Sequence, residues 1–329
     1  MDEKELERAA DLIAGSESVL VLGHQYPDGD AIGSALALAI ALGQTGRRVQ
    51  ASWPEPFELP HKYTFLPGAD FLVRPGDVLD ADVTISVDCA TADRMQELKD
   101  RTLARPTLIN IDHHPDNRRF GSVNLVEPEA SATAEIIYRR AAVLGLHLNR
   151  EAALCLYVGI VTDTGRFQFS NTTAGTLEAA SEIVALGVEP NVIYENVYQS
   201  DSLEYIRLTG EVLMNAVYDN GLGLIYACVM QSDLKEFGVK MNETEDLIDD
   251  LRALKGHMVT ALFKETGDGS IRVSLRSRVD CDIGSIARKL GGGGHRVAAG
   301  YTSGKESIAD AVAELKEEII DSGGSAGCR

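Results

Sequence analysis

At 329 residues, 44% apolar and 25% charged, the chain has room for two domains with cores of their own and the composition of a soluble globular protein. Its net charge of −19 argues against tight binding of long duplex nucleic acid, whose affinity comes from many Lys and Arg contacts to phosphate. A short phosphorylated ligand stays open to it, because cations and a few local basic residues can hold one or two phosphates.

The opening MDEKELERAADLIAG places charges where a signal peptide needs an apolar core, and no apolar run reaches the ~18 residues of a membrane span. A cytoplasmic protein with no membrane partner is expected. Cys89, Cys155, Cys228, Cys281 and Cys328 are widely spaced and odd in number, which predicts buried thiols and one tail thiol rather than a disulfide framework or a thiolate zinc site.

Helical periodicity covers residues 3–14, an apolar strand follows near 18–23, and a small-residue helix starts near Ala31 in AIGSALALAIALG. The strand runs VTISV (83–87) and TLINI (107–111) come next, then the helices SATAEIIYRRAAVLG and EAALCLYVGIVTD. This alternation predicts an α/β fold with a mainly parallel sheet flanked by helices over residues 1–187. Residues 188–215 read as a helical connector.

GLGLIYACVM, HMVTALFKE and SIRVSLRSR then read as strands, and TEDLIDDLRALK and DCDIGSIARKL as amphipathic helices. They predict a smaller α+β domain over 216–322, with a hairpin turn at GDG (267–269) and a disordered tail over 323–329.

Chemistry-bearing residues cluster at the ends of the predicted N-terminal strands: His24, Asp28 and Asp30 in HQYPDGDAIGS, Asp88 in VDCA, His113 and His114 in DHH, with Asp163 in TDTG near the end of an apolar stretch. Ligands of open α/β sheets collect outside the carboxyl ends of the strands. Asp28 and Asp30, spaced i, i+2 with Gly29 permitting a tight turn, can point toward two different ions, and Asp88 can bridge them. His113 and Asp163 complete the second ion.

Four carboxylates in a partly dehydrated cleft call for two divalent cations, and the imidazoles favour Mn²⁺, with Co²⁺ or Mg²⁺ as substitutes. His114, facing away from His113 on an extended segment, is the candidate to contact the phosphate or protonate a leaving oxygen. Asp112 is the candidate to orient a ligand histidine.

In the C-terminal half, GGGGHRVAAG sets glycines, among them Gly292, Gly293 and Gly294, before His295, and SLRSR supplies Arg276, Ser277 and Arg278. Converging backbone N–H groups and guanidinium forks suit an anion.

The motifs HQYPDGDAIGS, VDCA, IDHHPDN and TDTGRFQFSNT resemble those of the DHH phosphoesterase superfamily, and SLRS with GGGGHRVAAG is similar to its DHH-associated C-terminal domain. The resemblance implies one ion on His24, Asp28 and Asp88, the other on Asp30, Asp88, His113 and Asp163, with His114 at the substrate and the C-terminal motifs facing the metals. The two-domain layout is similar to the stand-alone nanoRNase and pAp phosphatase branch. That branch implies Mn²⁺-dependent hydrolysis of short RNA oligonucleotides to mononucleotides and of 3′-phosphoadenosine 5′-phosphate (pAp) to AMP, and a homodimer. The alternatives are a cyclic di-AMP or pApA phosphodiesterase and a non-catalytic nucleotide sensor.

Overall fold

The β-branched runs of the first half become five short strands: β1 Ser18–Leu22, β2 Arg48–Ser52, β3 Val83–Val87, β4 Leu108–Asp112 and β5 Val123–Val126. In the computed structural model, which describes residues 2–278 and 281–322, they form one sheet in the order β2-β1-β3-β4-β5. Every neighbouring pair is parallel. β1, β3 and β4 are buried along their whole length, as expected for strands covered on both faces.

The helices are α1 Glu3–Ala14, α2 Gly29–Gly43, α3 Lys99–Leu103, α4 Thr133–Arg140, α5 Arg150–Asp163, α6 Ala174–Ala185 and α7 Pro190–Tyr198. Local signals start them: Asp2 caps α1, Asn149 caps α5, and Thr173 closes a capping box with Thr176 on α6. α2 is apolar around its circumference and buried from Gly29 to Leu42, so it is a core helix and not a surface one.

Glycine lets α2 and α5 meet backbone to backbone. A Cβ on Gly33 would sit 2.3 Å from the carbonyl oxygen of Cys155. Gly29, expected to serve a tight turn, instead opens α2, where a Cβ would come within 2.4 Å of the Thr162 hydroxyl.

The chain divides between Ser200 and Asp201 into two compact units. The division falls inside the stretch expected to be a connector, whose two helices each join a core. Ile193 and Val197 of α7 are buried in the first unit, and Tyr205, Leu208 and Val212 of α8 (Leu203–Met214) in the second.

The second unit is built on β6 Val217–Asp219, β7 Leu224–Val229, β8 Val259–Glu265, β9 Ile271–Ser277, β10 Gly293–Gly294 and β11 Ala298–Ser303, in the order β10-β11-β9-β8-β7-β6. β7 and β8 run parallel and the other pairs antiparallel, giving the expected α+β unit. The turn between β8 and β9 carries GDG, with Gly269 at φ +82°. The helices are α8, α9 Gln231–Phe237, α10 Leu247–Leu251, α11 Ile283–Lys289 and α12 Ile308–Asp321. Alternate residues of β8 serve two cores: Val259, Ala261 and Phe263 join one, and Leu262 the other.

Cys89 and Cys155 are buried free thiols and Cys228 is half-buried and free. Cys281 is disulfide-bonded, against the expectation of thiols throughout. The tail at 323–329, Cys328 included, lies outside the described residues. Among the described residues no helix is long and apolar enough to cross a membrane.

Candidate metal centre

The sheet order reverses direction at β1 and β3, the switch point where the crevice of such a sheet opens. His24 follows β1, Asp88 follows β3, and Asp112 to His114 end β4 beside them. Asp88 leaves its strand at φ +54°, a left-handed conformation that costs a non-glycine residue about 1–3 kcal/mol and is typical of functional positions.

Around Asp88 the predicted residues come together. Donor atoms of His24, Asp28 and Asp88 lie within 4.8 Å of one another, and so do those of Asp30, His113 and Asp163. His24 Nε2 is 3.5 Å from one Asp88 oxygen and His113 Nε2 is 3.5 Å from the other, so Asp88 stands between the two groups. His113 Nε2 is also 3.3 Å from Asp163.

Secondary structure holds each carboxylate. Asp28 caps α2, one oxygen accepting the N–H groups of Asp30 and Ala31 at 3.0 Å, which leaves its other oxygen for the cluster. The cap and the cluster thus use the same side chain. Asp30, in the first turn of α2, accepts the Thr133 and Ala134 N–H groups at 2.6 and 2.9 Å. It therefore caps α4, whose own N-cap Ala132 offers no side-chain acceptor. The Thr133 hydroxyl donates to Asp88 at 3.2 Å.

Burial, and after it the negative charges of Asp88 and Asp163, push the Asp30 carboxyl well above the usual carboxylate range. Burial acts the same way on Asp88, but the hydrogen bond from His24 and the charges of His114 and His113 outweigh it and hold that group far below the range. Carboxylates this close repel one another, as the raised Asp30 value records. Oxygen donors from Asp28, Asp30, Asp88 and Asp163, with an imidazole on each side, fit divalent cations that cancel this repulsion.

The two histidines of DHH differ in what holds them. His113 Nδ1 is 3.3 Å from the Ala130 carbonyl oxygen, which as acceptor leaves Nε2 to face the carboxylates. His114 Nδ1 is 2.8 Å from Oδ1 of fully buried Asp112. Burial lowers the His114 pKa, but the charge and hydrogen bond of Asp112 override it and push the group up to about 10.

Two expectations change here. Asp112 orients His114 rather than one of the expected ligand histidines, and the His114 ring does not face away: its Nδ1 is 3.6 Å from Asp88, and the His113 and His114 rings meet edge to face at 5.0 Å. The backbone leaves β4 at Asp112 and turns at Pro115, so the strand alternation assumed for an extended segment stops short of the pair.

In the second unit, Arg276, Ser277 and Arg278 lie at the end of β9. The Ser277 hydroxyl is buried and donates to the Cys281 carbonyl, and Arg278 donates to the carbonyls of Arg252 and Leu254, so these two have structural work in the fold. Arg276 Nε is 3.7 Å from Asp249 without a hydrogen bond. The glycine run is only partly a loop, because Gly293 and Gly294 pair with Gly300 and Ala299 of β11. A Cβ on Gly292 would lie 2.1 Å from the Gly300 carbonyl oxygen. His295 follows directly and is half-buried.

Residues 18–160, which contain Asp112, His113 and His114, match the DHH family, N-terminal domain, and residues 221–321 match the DHHA1 domain. A protein of Thermus thermophilus named bifunctional oligoribonuclease and PAP phosphatase NrnA is 34% identical over 285 residues, covering 86% of this chain and 83% of that one. The chain belongs to the DHH family. A Bacillus subtilis DHH relative of the same name is 31% identical over 291 residues, covering 86% of this chain and 88% of its own. The DHH fold is shared with the crystal structure of an exopolyphosphatase-related protein from Bacteroides fragilis, at a TM-score of 0.88 and 24% identity over 98% of this chain and 97% of that one.

Several residues of this DHH site escape sequence reasoning. The Asn117 amide donates to Asp112, to Asn110 and to the Cys89 carbonyl, locking the DHH segment to the end of β3. Asn171 ties the Asp163 carbonyl to that of Ser131. Arg94 reaches His24. Asn117 and Asn171 stand inside motif segments and could have been flagged there. Thr133 and Arg94 carry no local signal.

Proposed function

We propose that this chain is a two-cation phosphoesterase that hydrolyses short oligoribonucleotides to mononucleotides and pAp to AMP. The observation that carries the proposal is Asp88 standing between two donor groups, with His24 and Asp28 on one side and Asp30, His113 and Asp163 on the other. The T. thermophilus and B. subtilis relatives bear names with both activities. The mixed imidazole and carboxylate set favours Mn²⁺ over Co²⁺ or Mg²⁺. Two such ions supply an acidified water and offset charge on the phosphoryl oxygens.

The chain's own groups do the rest. Asp28, Asp30, Asp88, Asp163, His24 and His113 hold the ions, and the backbone N–H groups of α4 fix Asp30. His114, with Nδ1–H committed to Asp112, keeps Nε2 to bind the phosphate or give a proton to the leaving oxygen. Arg276, Gly292, Gly293, Gly294 and His295 are assigned to nucleotide binding, and Ser277 and Arg278 to holding that surface through their bonds to the Cys281, Arg252 and Leu254 carbonyls. The protein works in the cytoplasm as a homodimer.

Purified protein with Mn²⁺ is incubated with pAp, a labelled RNA pentamer, pApA and cyclic di-AMP, and AMP release is followed. Release from pAp and mononucleotides from the pentamer support the proposal. Turnover of cyclic di-AMP or pApA alone replaces it with a dinucleotide phosphodiesterase, and tight binding without turnover replaces it with a nucleotide sensor.

A further inference from the structure

Arg94 lies on the short helical segment Ala92–Leu98 after β3. Met95 and Leu98 of that segment are buried with Leu20 and Leu22, and the Gln25 backbone N–H donates to the Arg94 carbonyl at 2.9 Å. The backbone is thereby tied to the loop that carries His24. The residue itself is exposed, yet its Nη2 ends 3.1 Å from Nδ1 of buried His24.

That same Nδ1 lies 2.8 Å from the carbonyl oxygen of Gln25. A neutral imidazole nitrogen either carries a proton and donates or keeps its lone pair and accepts. With the proton on Nδ1, Gln25 is satisfied and the Nε2 lone pair faces Asp88 at 3.5 Å, as a cation ligand requires. Arg94 then points an N–H at another N–H, and a guanidinium offers no acceptor. With the proton on Nε2, Arg94 has its acceptor but His24 is lost as a ligand. Cation binding by His24 and the Arg94–His24 hydrogen bond exclude each other.

We propose that Arg94 is a phosphate-binding residue of this centre, released from His24 toward the anionic substrate when a cation engages Nε2. The inference rests on the phosphoesterase reading above. It places a planar, always-charged fork beside the His24, Asp28 and Asp88 group, where the strongly acidic chain has need of local positive charge.

The test uses Arg94→Ala and Arg94→Lys in the full chain, with inorganic phosphate as the probe. Calorimetry measures phosphate binding to the Mn²⁺-loaded protein and Mn²⁺ binding to chelator-stripped protein, and KM and kcat are measured on pAp. Arg94→Ala is expected to weaken phosphate and raise KM by about tenfold each, with a smaller fall in kcat. Arg94→Lys recovers part of both, and Mn²⁺ affinity holds or tightens. Unchanged phosphate affinity in Arg94→Ala overturns the inference, as does a tenfold loss of Mn²⁺ affinity, which would make Arg94 only an orienting partner of His24. If the wild type turns over none of the substrates while phosphate binding still depends on Arg94, the functional reading fails and the phosphate site stands. An active wild type with unchanged phosphate affinity in the variant sinks the site alone.

Discussion

Gly159 of α5 passes so close to Asp30 of α2 that a Cβ at position 159 would lie 2.7 Å from the Asp30 carboxylate oxygen and 2.7 Å from the Ala134 methyl. The missing side chain lets α2, α4 and α5 converge on one carboxylate. Gly159→Ala is therefore expected to destabilise the fold by about 1–3 kcal/mol, the range for an overpacked core. Because the intruding methyl meets Asp30, cation affinity measured by calorimetry should fall as well. A variant as stable as wild type with unchanged cation binding would show that the helices can part freely.

Asp88 and Arg276 should separate kinetically. Removing the shared carboxylate in Asp88→Ala is expected to lower kcat by more than about 100-fold, beyond what loss of an outer partner usually does. Arg276→Ala should chiefly raise KM, by about tenfold. Normal turnover in the Asp88 variant would contradict its bridging place.

Cation removal should be visible in stability. Mn²⁺ at about 100 times its dissociation constant stabilises the native state by about 2.7 kcal/mol, and chelation removes that gain. Asp163 raises the Asp30 pKa by its charge, so Asp163→Asn relieves repulsion in the stripped protein. Stripped Asp163→Asn should melt no lower than stripped wild type while gaining less from Mn²⁺. An equal Mn²⁺-induced shift in both proteins would remove Asp163 from the ligand set.

The His114–Asp112 pair makes the cation-free protein pH-sensitive. The His114 pKa rises from an ordinary 6.5 to about 10 in the folded state. A raised value means that the folded chain holds the proton more tightly. Its stabilisation is complete below pH 6.5 and is lost progressively as the pH climbs toward 10. Denaturation of chelated protein between pH 6.5 and about 8.5, below thiol ionisation, should show stability falling with pH in wild type and a flatter profile in His114→Gln. Parallel profiles would exclude His114 as the source.

Residue order alone was enough for the elements that rest on local signals. The runs SVLVL, VTISV and LINID are strands because β-branched apolar residues favour buried extended backbone, and the motif residues fall at their carboxyl ends because they follow those runs in the chain. RVQAS and VNLV, which form β2 and β5, are short and partly polar, and only pairing with β1 and β4 makes them strands.

The kinds of donor in the site, aspartate and imidazole, were likewise fixed by composition at the motif positions. Their shared location around Asp88 was a tertiary result. So were the capping of α4 by Asp30 from 103 residues away, the close helix approach at Gly33 and Gly159, and the contact of Arg94 with His24. Periodicity and residue type act over a few neighbours along the chain, whereas hydrogen bonds and close approach depend on distances that exist only once the sheet has set its strand order.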